Sequence, residues 1–146
     1  MNRMVTMVKM RIMLVDDEER FLQTMQKMLI NNGYDAMTAT SGEDCLKQLE
    51  QKLVHVVILD VKMPGMGGVE TLKKIKHLYP RVEVIMLTGH ATAASAVEGL
   101  KSGATDYLTK PASVDEIIAK AEEAFRKHLA LEDKIRLAEA LKQSHV

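Results

Sequence analysis

The chain has 146 residues, no net formal charge, 47% hydrophobic residues and 27% charged ones. That length fits one domain whose core needs no disulfide or metal staple, and the single cysteine, Cys45, excludes an internal disulfide and fits a reducing compartment. The balanced charge gives no ground for wholesale binding to nucleic acid, no apolar run approaches the ~20 residues that span a bilayer, and the start MNRMVTMVKM has no signal-peptide core or cleavage site.

Short apolar runs alternate with amphipathic segments of helical length. RIMLV, residues 11–15, reads as a strand that stops at Asp16 and Asp17. Residues 18–32 carry Phe21, Leu22, Met25, Met28 and Leu29 at helical spacing, and Asn31, Asn32 and Gly33 stop that helix. Residues 34–39 form a weaker strand, and Ser41 and Gly42 open a second helix with Leu46 and Leu49. An apolar run over residues 54–59 ends in Asp60. A Pro- and Gly-rich loop over 61–68 leads to a third helix with Val69, Leu72, Ile75 and Leu78. VEVIML, residues 82–87, ends in Thr88 and Gly89. A small-residue helix over about 92–102 stops at Gly103, and a short strand over 105–108 ends in Thr109, Lys110 and Pro111. Ser113 and Glu116 match a capping box for a last helix with Ile117, Ile118, Ala121 and Phe125.

Five β–α units with continuous apolar strands imply an α/β fold, a parallel sheet covered by helices on both faces. In such sheets ligands bind beyond the carboxyl ends of the strands. Asp16 and Asp17 follow the first strand, Asp60 the third, Thr88 the fourth and Lys110 the fifth. Three carboxylates, a hydroxyl and an ammonium are thus expected on one sheet edge. Carboxylates cannot all ionise at close range without compensation, and all-oxygen ligands select a hard cation such as Mg²⁺. Mg²⁺ and a lysine form the recurring clamp for phosphoryl oxygens, and a carboxylate can be the nucleophile that yields an acyl phosphate.

The segments MLVDDE, VVILDVKMPGMGGVE, VIMLTGHA and GATDYLTKP, in this order and each at a strand end, resemble the receiver domains of two-component response regulators. The likeness runs from about Lys9 to Lys127. It implies a flavodoxin-like, doubly wound five-stranded sheet of order 2-1-3-4-5 with five helices, and a helical extension would follow. It implies Asp60 as phospho-acceptor, and Asp17, Asp60 and the Lys62 carbonyl as Mg²⁺ ligands with Asp16 acting through water. Thr88 and Lys110 would contact the phosphoryl group. Tyr107 would be the switch aromatic that turns inward when Thr88 moves, although an ordinary strand tyrosine fits the residue too. Lys110-Pro111 would be cis, and Lys62 and His90 would tune phosphoryl lifetime. Gly67 stands where many members carry Asp.

The resulting expectation is a cytoplasmic phosphoprotein that takes a phosphoryl group from a sensor histidine kinase or phosphotransfer protein. Phosphorylation would repack the face of the fourth helix, fifth strand and fifth helix for a downstream protein or a second copy. No recognition helix with clustered basic residues is present, so direct nucleic-acid contact is not expected of this chain. It would be a signalling acceptor rather than a turnover enzyme. Residues 1–9 would be a tail, 10–127 the receiver, and 128–146 a helical extension or linker. The apolar pattern continues through Leu129, Leu131, Ile135, Ala138 and Leu141, so the extension either seeks a partner or leads to an effector. The alternatives are a receiver cut from a larger transcriptional regulator and a Mg²⁺-dependent phosphatase working through an aspartyl phosphate. Lys62 stands where many such phosphatases carry a second Asp. A flavin-binding relative of the same topology would want a phosphate-cradling loop where Asp16, Asp17 and Glu18 stand. His55 and His77 read as surface residues, and Cys45 as helix packing.

Overall fold

The computed structural model describes residues 9–89 and 93–144. The expected tail before Lys9, the start of the small-residue helix at Thr92 and the tuning position His90 lie outside the described residues. In chain order the elements are β1 (Arg11–Val15), α1 (Glu19–Asn31), β2 (Asp35–Ala39), α2 (Gly42–Leu49), β3 (Val56–Asp60), α3 (Gly68–Leu78), β4 (Glu83–Thr88), α4 (Ala93–Lys101), β5 (Asp106–Thr109) and α5 (Val114–Ser144). The five strands form one parallel sheet of order β2-β1-β3-β4-β5.

Alternation along the strands splits the core into two layers, because successive side chains leave opposite faces of a sheet. Met13, Val15, Val57, Leu59, Val84 and Met86 pack with Cys45 and Leu49 of α2 and Leu72 and Ile75 of α3. Ile12, Leu14, Val56, Ile58, Ile85 and Leu87 pack with Leu22, Met25 and Leu29 of α1 and Ile117, Ala121 and Ala124 of α5. The central strands are apolar on both faces because helices cover both. Cys45 is buried in the first layer, as helix packing, and burial pushes its thiol up to about 12.

Helix boundaries follow their caps. Ser41 Oγ accepts from the Asp44 N–H at 3.0 Å. The capping box closes in both directions: the Glu116 N–H donates to Ser113 Oγ at 3.1 Å, and the Ser113 N–H donates to Glu116 Oε1 at 3.0 Å. Gly33 stops α1 with φ +89°, in the left-handed region that glycine enters without strain. The strands differ from the sequence reading by a residue or two. β5 starts at Asp106, after the Thr105 N–H joins Val84 O at 2.7 Å. β3 starts at Val56, although Val54 and His55 are already buried.

His55 corrects a sequence expectation, since it is not a surface residue. Its ring Nδ1 accepts from the Arg11 N–H at 3.0 Å, while its backbone N–H donates to Arg11 O. The ring packs 5.0 Å from Phe125 and 5.3 Å from His128, centroid to centroid. His77 is exposed, as expected. α5 runs through residue 127 without a break. His128 is buried and sits 2.6 Å from the Arg81 carbonyl, and Glu132 pairs with the Arg81 guanidinium at 3.3 Å.

Candidate functional site

The carboxyl ends of β1, β3, β4 and β5 meet at one edge of the sheet. The Asp16 N–H adds one more rung to the ladder through Ala39 O at 3.2 Å, which carries its side chain just past the end of β1. Asp16 is fully buried and both its oxygens are engaged. Oδ1 accepts from the Glu18 N–H at 2.9 Å, and Oδ2 accepts from Lys110 Nζ at 2.6 Å. Asp17 is exposed, and Asp60, the last residue of β3, is buried. One carboxylate oxygen from each of Asp16, Asp17 and Asp60 lies within 4.8 Å of the other two.

A cavity of about 260 Å³ opens over Asp17 and Asp60, with Glu18, Lys62, Thr88, Gly89 and Lys110 in its walls. Thr88 is buried at the end of β4, opposite Thr109 in the register. The Lys110 N–H donates to the Thr88 carbonyl at 2.8 Å, so the backbone ties those two residues together. The Lys110-Pro111 peptide is cis, as the resemblance implies. Tyr107, paired with Met86 in the register, is half-buried against the layer that α2 and α3 cover.

The electrostatics follow from crowding acids where water is scarce. Burial, and then the Asp16 carboxylate, push Asp60 up to about 6, with Asp17 adding a smaller push. Lys110 and the backbone N–H of Lys62 pull the other way. Burial also works against the Lys110 ammonium, but Asp16, Asp60 and Glu18 outweigh it and hold its pKa above the ordinary lysine value. Three acids thus face one ammonium. The donors are all oxygen, a set that suits a hard divalent cation which keeps part of its water shell.

The sequence places each of Asp16, Asp17, Asp60, Lys62, Thr88 and Lys110 here, and the structure brings all six together. Three contributors were not read from it. Glu18 lies 3.6 Å from Lys110 Nζ, and the Phe21 ring lies 4.5 Å below that ammonium. Gly68 is the third: a Cβ on it would collide with the Asp60 carbonyl and with the backbone of Val61. α3 can therefore start directly behind Asp60 only from glycine. The doubled glycine of MPGMGG, just after the strand that ends in Asp60, was the available signal.

The model of the response regulator receiver domain family matches residues 12–122. The transcriptional regulatory protein ZraR of Salmonella typhimurium is 39% identical over 116 residues, which are 80% of this chain and 26% of that protein. The alkaline phosphatase synthesis transcriptional regulatory protein PhoP of Bacillus subtilis is 36% identical over 117 residues, 80% of this chain and 49% of that one. The chain thus spans only about a quarter to a half of these relatives. Among solved structures, the response regulator receiver domain protein (CheY-like) from Methanospirillum hungatei JF-1 superposes with a TM-score of 0.79 at 30% identity, covering 84% of this chain and 98% of that one. With the expected strand order and strand-end acids in place, the chain belongs to the response regulator receiver domain family of two-component systems.

Proposed function

We propose that this receiver accepts a phosphoryl group on Asp60 from a histidine kinase or phosphotransfer protein. The observation that carries the reading is the convergence of Asp16, Asp17 and Asp60 within 4.8 Å of one another, with Asp17 and Asp60 lining one cavity together with Thr88 and Lys110. A carboxylate oxygen of Asp60 attacks phosphorus and forms an acyl phosphate, while the donor nitrogen departs and takes up a proton. Asp17, Asp60 and the Lys62 carbonyl would hold Mg²⁺, with Asp16 acting through water. The ion would supply charge neutralisation for the phosphoryl oxygens. Asp60 must be ionised to attack, and even with burial and Asp16 pushing its pKa up to about 6 it is largely ionised at neutral pH. Lys110 gives up Asp16 Oδ2 for a phosphoryl oxygen, and the Thr88 hydroxyl donates to another. Thr88 and Lys110 share a backbone hydrogen bond, so their movements are coupled and reach Tyr107 along β5.

The chain acts in this reading as a phospho-acceptor and switch, not as an enzyme with a turnover substrate. Its output is a changed α4–β5–α5 surface offered to a downstream protein. ZraR and PhoP are transcriptional regulators, and this chain matches only part of each. A role as the receiver portion of a larger regulator is therefore the second reading. We place the reaction in the cytoplasm, a compartment that suits the lone reduced cysteine. No helix among the described residues is long and apolar enough to cross a membrane.

Intact mass after incubation with acetyl phosphate and Mg²⁺ tests the proposal. The expected result is one added phosphoryl group, lost in EDTA and absent from Asp60→Asn. A wild-type chain that gains no mass while binding no Mg²⁺ overturns it.

A further inference from the structure

We infer that Phe21 is a positioning residue for Lys110: its ring, with Asp16 and Glu18, forms a holding station that keeps the ammonium away from the phosphoryl position until a phosphoryl group draws it off. The inference deepens the proposed function and rests on Lys110 being the phosphoryl clamp.

Lys110 Nζ lies 2.6 Å from Asp16 Oδ2, 3.6 Å from Glu18 Oε1 and 4.5 Å from the centroid of the Phe21 ring. All three partners belong to β1's end or to the first turn of α1 and its approach. Asp60 also attracts the ammonium. The close contacts of the station lie on the α1 side. The Glu18 pair is exposed, with the carboxylate side chain at 69%, and water screens it. The Phe21 contact is better protected, since the Lys110 side chain is only 18% exposed and Phe21 packs against the layer that α1 and α5 cover. A cation over a partly desolvated aromatic face is where ring attraction counts most.

The ring has a second consequence. Asp16 is both the acid that would reach Mg²⁺ through water and the acid that holds Lys110. The metal and the ammonium compete for its charge, so whatever tightens Lys110 on Asp16 weakens the metal. Phe21 sits on the ammonium side of that competition. Removing the ring's π face while keeping its bulk should loosen Lys110 and favour the ion by about fivefold in affinity, the usual size of such a contact.

The test uses the full chain in its unphosphorylated form, as wild type, Phe21→Tyr and Phe21→Leu, each checked for unchanged thermal stability. In EDTA, the ε-methylene protons of Lys110 should show an upfield ring-current shift in the wild type and in Phe21→Tyr, and lose it in Phe21→Leu. Lys110 protons at ordinary positions in the wild type overturn the station. Calorimetric titration with Mg²⁺ should give matching affinities for wild type and Phe21→Tyr and about fivefold tighter binding for Phe21→Leu. Equal affinity in all three overturns the competition. Failure of Asp60 to gain a phosphoryl group counts against the proposed function alone, because the ring-current shift needs neither metal nor phosphodonor.

Discussion

Asp60 is held in a place that disfavours its charge. An ordinary aspartate titrates at 3.8, and here burial and Asp16 move it to about 6. Between those values the folded chain keeps a proton that the unfolded chain has lost. Stability therefore falls as pH rises through that window, and above it the charge, screened in part by water, costs on the order of 2 kcal/mol. Asp60→Asn should raise the melting temperature by about 5 °C at pH 7.5 in EDTA, and the gain should be largely gone by pH 4. Millimolar Mg²⁺ should raise the wild-type melting temperature more than that of the variant. Equal melting temperatures at pH 7.5 would mean that burial and the neighbouring acids disfavour the Asp60 charge less than its surroundings imply. Gly68 makes a second residue-scale test. Gly68→Ala places a methyl on the Asp60 carbonyl and should cost about 2–4 kcal/mol in a denaturant titration, whereas Gly67→Ala, with nothing within 4 Å, should stay within about 0.5 kcal/mol. Asp16, Asp17, Asp60, Thr88 and Lys110 were legible because each terminates an apolar run or follows within two residues, whereas Lys62 came with the family resemblance. Phe21 and Glu18 were not, because helical periodicity assigns Phe21 to the core face and is silent on what crosses above it.

The elements repeat this division between local signals and long-range contacts. Both caps were readable, since Ser41 and the Ser113–Glu116 box act within one turn. The seating of α5 was not, because it depends on residues more than seventy positions apart. Its His128 meets His55, which immediately precedes β3, and Arg81, which precedes β4. His55 accepts the Arg11 N–H on Nδ1, so protonating that nitrogen orphans a ladder donor. Burial chiefly, with His128 and Arg11 adding to it and Glu132 opposing, holds its pKa below the ordinary 6.5. The unfolded chain then binds the proton first, and stability is lost as pH falls below about 6.5. Asp60 acts in the opposite direction just below that range, so the two must be separated. In an Asp60→Asn background, denaturant midpoints should fall between pH 7.5 and 5.5, and adding His55→Asn should shrink that fall. Asparagine can still accept the Arg11 N–H but does not titrate. An undiminished fall would assign the acid sensitivity to another group.

At the scale of the molecule, alternating apolar strands and amphipathic helices dictate a parallel sheet between two helical layers, but periodicity leaves the strand order open. Order 2-1-3-4-5 came with the family resemblance, and the ladder from β2 to β5 shows it. The extension was legible as helix and not as contact, because an apolar stripe looks the same whether or not a surface covers it. The structure divides it. α5 is about 46 Å long at 1.5 Å per residue. His128 and Glu132 still grip the base of the sheet, while Leu137 and Leu141 stand 62% and 54% exposed. The division predicts unequal effects of shortening. A chain ending after Arg136 keeps every contact of His128 and Glu132 and should match the full chain within about 0.5 kcal/mol. A chain ending after Lys127 uncovers the His55 and Phe125 rings, leaves the Arg81 carbonyl without His128 and its guanidinium without Glu132, and should lose about 2–3 kcal/mol. Denaturant titration of the two shortened chains beside the full one decides the matter. If the shorter chain is as stable as the longer, the packing unit ends with the last core residue of α5, Ala124, and the grip on Arg81 follows the fold without supporting it.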